Sequence, residues 1–193
     1  MATDLSNLKN FLAGNKTIPT KEEEYQKTIQ TIEDIYVEAK KIGISTSPID
    51  IKSVVEKIFK IRIYETDLGK EVSGFLEKKG AAWEIYLNKY ESEVRKRFTL
   101  AHELGHYIYH RNKYAESGKY LHDNIYFRAE QNMSEDEIKA NEFAASLLMP
   151  EEAFKNAVKS GCRKIIDLAG KFNVSTAAVK YRAYKLKMIS EYR

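Results

Sequence analysis

"FTLAHELGHYIYH", residues 98–110, carries three of the chain's four histidines, and its reading decides what is built around it. On an α-helix, residues four apart lie on one face, one turn above the other. His102 and His106 can therefore each aim a ring nitrogen at a single ion, with Glu103 about a third of a turn round from the first. Zinc suits imidazole, takes three protein ligands at a catalytic site and leaves its fourth position to water. A carboxylate beside that water, and not on the ion, is placed to take its proton. H-E-x-x-H on a helix thus points to metal-assisted peptide hydrolysis, with Glu103 catalytic and His102 and His106 on the metal.

The competing reading is an exposed helix with two solvated histidines. The neighbours oppose it. Phe98, Leu100, Ala101, Leu104 and Ile108 make most of the helix apolar, as in a helix buried inside a domain. Gly105 costs about 1 kcal/mol against alanine in a helix interior, which a second backbone passing close by would explain. Polar side chains inside such a helix need partners. His110 continues the spacing, but three histidines over two turns stretch too far for one ion, so it is read as structural. The longer H-E-x-x-H-x-x-G-x-x-H pattern fails, because Tyr109 stands at its glycine and Asn112 at its third histidine.

The third ligand must come from elsewhere, and "SEDEIKANEFAASLLMP", residues 134–150, is the best source. Glu137 and Asn141 share a helix face. Ala140, Phe143, Ala144, Leu147 and Leu148 form an apolar side that would pack on the first helix. Glu137 could bind the ion while Asn141 accepts from the free N–H of a ligand histidine. Two alternatives stand beside this. Ser134 with Glu137 also spells a capping box, and Glu142 is a rival ligand on another face of the same helix.

With these residues in view, the chain resembles the ImmA/IrrE family of zinc metallopeptidases over roughly residues 44–190. The resemblance rests on "VSGFLEKKGAAWEIYLNKYESEVRKRFTLAHELGHYIYH", then "EIKANEFAASLLMP", then "LAGKFNVSTAAVKYRAYKLKMI". It implies an α+β, zincin-like core with a glutamate third ligand of the gluzincin kind, four residues before the Asn/Asp of E-x-x-A-[ND]. Here that residue is Glu137. It also implies a protein substrate, a helix-turn-helix repressor or similar regulator, cut in an anti-repressor role.

Around this centre, "KIRIYE", "VSGFLEK" and "WEIYLN" alternate apolar and polar residues between glycine-containing turns. They predict a small three-stranded sheet at about 60–65, 72–78 and 83–88, packed on helices. "WEIYLN" would border the cleft and could pair an extended substrate as an added strand. A helix follows from Ser92 to about His110, then a loop over 111–133, then a helix from Ser134 to near Pro150. His122, Tyr107 and Tyr126 are candidates for stabilising an oxyanion. Upstream, Thr20 with Glu23 suggests a capping box for a helix that runs to Gly43. A short helix is expected from about Pro48 to Phe59.

Three regions result: an N-terminal arm and helix (1–43), the metallopeptidase core (44–152) and a basic helical appendage (153–193). The appendage holds ten Lys/Arg and two Asp/Glu, so a body of net charge −4 remains under the chain's +4. "IIDLAGKFNVSTAAVKYRAYKLKMI" resembles a helix-turn-helix. Ile165, Leu168 and Phe172 would face inward, Asn173 would turn, and Ser175 would cap a second helix. Lys171, Lys180, Arg182, Lys185 and Lys187 could touch phosphates, so DNA is a possible partner. Packing on the body is the favoured role. One cysteine, Cys162, excludes a disulfide framework and a cysteine-based zinc site. No run approaches the ~18 apolar residues of a membrane span, and the N-terminus has no signal-like apolar run. The expected compartment is the cytoplasm.

Overall fold

The computed structural model describes residues 28–117, 121–123 and 133–191. The chain divides into two compact units, Met1–Gln30 and Thr31–Arg193, and every element below belongs to the second. The Thr20–Glu23 cap lies outside the described residues.

Among the described residues the first helical element is α1, Ile32–Lys41, which starts later than the helix expected from Thr20. Thr31 caps it. Its hydroxyl accepts from the Asp34 N–H at 3.1 Å, and the Asp34 carboxylate accepts from the Thr31 N–H at 2.9 Å. This reciprocal box satisfies two backbone donors at once, and it stops the helix from continuing upstream through Gln30. Ile35 and Ala39 point into the core. The Tyr36 hydroxyl donates to the Leu147 carbonyl at 2.9 Å.

Asp50 caps a short helix, α2 (Ile51–Ser53), that continues as a π-helical stretch, Val54–Ile58. The strands are β1 (Arg62–Thr66), β2 (Gly74–Lys79) and β3 (Ala82–Asn88), close to the expected positions. A fourth strand, β4 (Leu121–Asp123), comes from the stretch read as loop. Among the described residues the sheet therefore has four strands, in the order β1-β3-β2-β4. β2 and β3 form an antiparallel hairpin, while β1 runs parallel to β3. This order corrects the expectation that "WEIYLN" offers a pairing edge. β3 is hydrogen-bonded on both sides, so it has no free edge for a substrate.

Alternation along β3 sends Ile85 and Leu87 to the core and Tyr86 to the other face. There Tyr86 stacks between Tyr64 and Phe75, with ring centroids 5.2 and 4.7 Å away. Glu84, on the same face of β3 as Tyr86, is buried and accepts from the Tyr86 hydroxyl at 2.7 Å.

The long helix α3 spans Glu93–Ser117, two turns beyond the expected end. After β4 come α4 (Glu135–Leu148), α5 (Glu151–Lys159), α6 (Ile165–Phe172) and α7 (Thr176–Lys185). The closest packing joins α3 and α4. A Cβ on Gly105 would lie 3.0 Å from Phe143 Cδ1 and 3.2 Å from the Ala140 Cα. The glycine is thus what lets the two helices approach. Gly74 plays the same part between β2 and α3, where a Cβ would meet Thr99 Cγ2 at 2.6 Å. Two glycines therefore seat α3 against α4 on one side and against the sheet on the other.

Candidate metal centre

α3 contributes His102, Glu103 and His106, all fully buried. α4 contributes Glu137 from its first turn. The Ser134 side chain accepts from the Glu137 backbone N–H at 3.3 Å, so capping uses the backbone. The carboxylate itself faces the histidines: Oε2 lies 3.4 Å from His102 Nε2 and Oε1 lies 3.3 Å from His106 Nε2. The two Nε2 atoms are 2.9 Å apart.

Among the described residues, His102, His106 and Glu137 form the one group of His, Cys, Asp or Glu side chains able to hold a metal ion. The donor set fits zinc, which favours imidazole and carboxylate ligands at ~2.0–2.2 Å. A tetrahedral ion with bonds of that length needs its ligand atoms roughly 3.3–3.5 Å apart. The two edges from Glu137 match that spacing, and the histidine edge is slightly shorter.

The surroundings orient both imidazoles. Asn141 Oδ1 lies 2.9 Å from His102 Nδ1. An amide oxygen only accepts, so the imidazole donates there and its Nε2 keeps a lone pair. His106 Nδ1 lies 3.0 Å from His110 Nδ1, and His110 Nε2 lies 3.3 Å from Asp136 Oδ1. Burial and the neighbouring His106 push His110 down to about 4, against the opposite pull of Asp136.

Glu142 points elsewhere and pairs with Lys185 at 2.7 Å. Of the two glutamates left open by the sequence, Glu137 is the one whose carboxylate lies beside both histidines. Tyr107 packs edge-on against Phe59 and Trp83, with Arg111 over its ring. His122 belongs to β4, and Tyr126 lies outside the described residues.

The family described as "IrrE N-terminal-like domain", a peptidase family, matches residues 56–184. The chain belongs to this family. The match takes in the sheet, α3, α4 and most of the C-terminal helices of the IrrE-like domain. Among solved structures, one titled "Mycobacterium tuberculosis transcriptional regulator" superposes with a TM-score of 0.55 at 15% identity. The match covers 79% of this chain and 46% of that one, so the chain spans about half the length of that neighbour and shares its fold. No match is found among curated proteins. The metal cluster lies wholly inside the matched segment, consistent with the metallopeptidase character of the family.

Downstream, Asn173 takes a left-handed conformation at φ 52° and ends α6, and Ser175 caps α7 by accepting from the Ala178 N–H at 3.1 Å. Leu168 and Phe172 are buried as expected, but Ile165 is 38% exposed and does not face inward. Arg182 is buried. Its Nε donates to the Met149 carbonyl at 2.9 Å and Nη1 to Ser146 Oγ at 2.7 Å. The appendage is therefore bound to α4, the helix that carries Glu137. Packing of the appendage on the body agrees with the favoured reading of the sequence, but Arg182, read there as a cation available to phosphates, turns inward instead. An arginine among lysines on a basic helix gives no local sign that it points inward.

Among the described residues, no helix is long and apolar enough to cross a membrane.

Proposed function

We propose that this chain is a zinc-dependent endopeptidase acting on a protein, with His102, His106 and Glu137 as metal ligands and Glu103 as general base. The observation that carries the reading is the triangle of two Nε2 atoms and a carboxylate, with edges of 2.9, 3.3 and 3.4 Å. Zinc bound there would acidify a water molecule and polarise a peptide carbonyl. Glu103, the residue after His102 on the same buried helix, takes the proton from the attacking water and passes it to the leaving amine. Asn141 holds the His102 ring in the tautomer that serves the ion.

The substrate class follows from the resemblance: a helix-turn-helix repressor or a similar regulator, met in the cytoplasm. A DNA-binding role would use α6 and α7. Two of the five cations available for phosphates are already engaged inside the protein, Arg182 on α4 and Lys185 on Glu142. This favours the appendage as a brace for the core.

The test joins metal content with turnover. The purified protein should hold about one zinc per chain, and His102→Ala with His106→Ala should lose it, since one remaining ligand cannot retain the ion. Glu103→Gln should keep the zinc and lose cleavage of a co-expressed repressor. Retained cleavage removes Glu103 from the base role, and lost zinc makes it a ligand.

A further inference from the structure

We propose that His110 and Asp136 form a positioning relay that fixes the tautomer of His106, and with it the nitrogen His106 offers to a metal ion. The inference rests on the reading of His102, His106 and Glu137 as a metal site.

His106 Nδ1 and His110 Nδ1 are 3.0 Å apart, so one of the two carries the shared proton. If His110 carried it there, the proton of a neutral His106 would sit on Nε2. It would then point into the space between His102 and Glu137, where the ion must bind. If His106 carries it on Nδ1, its Nε2 keeps a lone pair toward that space. His110 then holds its own proton on Nε2, which faces Asp136 Oδ1 at 3.3 Å. Asp136 is held in turn by an ion pair with Lys113. Each link thus selects the next: carboxylate, imidazole, imidazole, ion.

The arrangement gives the three-histidine row a division of labour. His102 and His106 present ligand atoms. His110, one turn further on and buried, serves the second ligand as Asn141 serves the first. Asp136 and Glu137 are adjacent, so the first turn of α4 delivers a ligand and the end of the relay together. The outer partners of ligand histidines typically change metal affinity by 10–100-fold.

The experiment measures zinc affinity by chelator competition on the full chain, with melting of the metal-free protein as the control for folding. His110→Leu fills the space without an acceptor and should weaken zinc binding by about 10–100-fold. His110→Gln can accept from His106 and donate to Asp136, and should stay within about threefold of the wild type. Asp136→Ala should cost roughly three- to tenfold, and it decides the matter if His110→Leu fails to fold. Unchanged affinity in His110→Leu, or in Asp136→Ala where the former does not fold, overturns the relay. So does an equal loss in the leucine and glutamine variants, which would mean packing alone. If the wild type itself takes up no zinc, the metal reading falls and the relay falls with it.

Discussion

Gly105→Ala tests how the metal centre is assembled. In a helix interior, alanine gains about 1 kcal/mol over glycine through propensity alone. Here the new methyl would stand 3.0 Å from Phe143 Cδ1, 3.2 Å from the Ala140 Cα and 3.4 Å from the Ala140 carbonyl oxygen. Phe143 can rotate slightly, but the backbone of α4 can only move away, by a few tenths of an ångström. Overpacking of this kind costs typically 1–3 kcal/mol. The net change should therefore be a destabilisation of roughly 0–2 kcal/mol, read by urea unfolding with chelator present. The displacement acts unevenly on the metal triangle. The 2.9 Å edge joins two residues of α3 and is unaffected, whereas the edges of 3.3 and 3.4 Å cross to α4. Zinc affinity should fall by more than the small stability change suggests, because only Glu137 withdraws. A variant about 1 kcal/mol more stable than the wild type, with unaltered zinc affinity, would refute the close approach of the two helices.

Three further outcomes follow from the geometry. Glu137→Ala should weaken zinc strongly and Glu142→Ala hardly at all, with Asn141→Ala between them at about 10–100-fold; isothermal titration ranks the three, and the reverse order of the glutamates would relocate the site. Arg182→Met should cost roughly 2–4 kcal/mol, since it leaves the Met149 carbonyl and Ser146 hydroxyl without a charged donor, while charge reversal at the exposed Lys171 and Lys187 should change neither the melting temperature nor zinc content. Burial pushes the Tyr36 phenol up to about 12 from its usual 10, so the folded state favours the neutral form. Its stabilisation is complete below pH 10 and is lost as pH rises toward 12. Tyr36→Phe should destabilise by about 1 kcal/mol at neutral pH through the lost bond to Leu147 and should flatten the alkaline decline between pH 10 and 12; parallel alkaline curves for the two proteins would contradict that assignment.

The sequence by itself determined what depends on local spacing. Helical periodicity placed His102, Glu103 and His106 on one buried helix, and the propensity cost of a glycine inside that helix announced a close neighbour. Alternation located β1, β2 and β3, and Asn173 and Ser175 marked the turn and cap between α6 and α7. Each of these signals acts over a few residues along the chain. The tertiary structure alone decided matters that turn on residues far apart in sequence. β3 lies between β1 and β2 because strand order is set by packing across the sheet, which no single strand encodes. β4 is three residues long, too short to show a period. Glu137 and Glu142 are chemically alike and sit on one helix; only the positions of α3 and α7 send one toward His102 and His106 and the other toward Lys185. His110 was legible as a third histidine in the row. Its place beside His106 and Asp136 exists only once α3 and α4 have met, because a hydrogen bond between helices depends on the distance separating them, and that distance is set by the core, with Gly105 at its narrowest point.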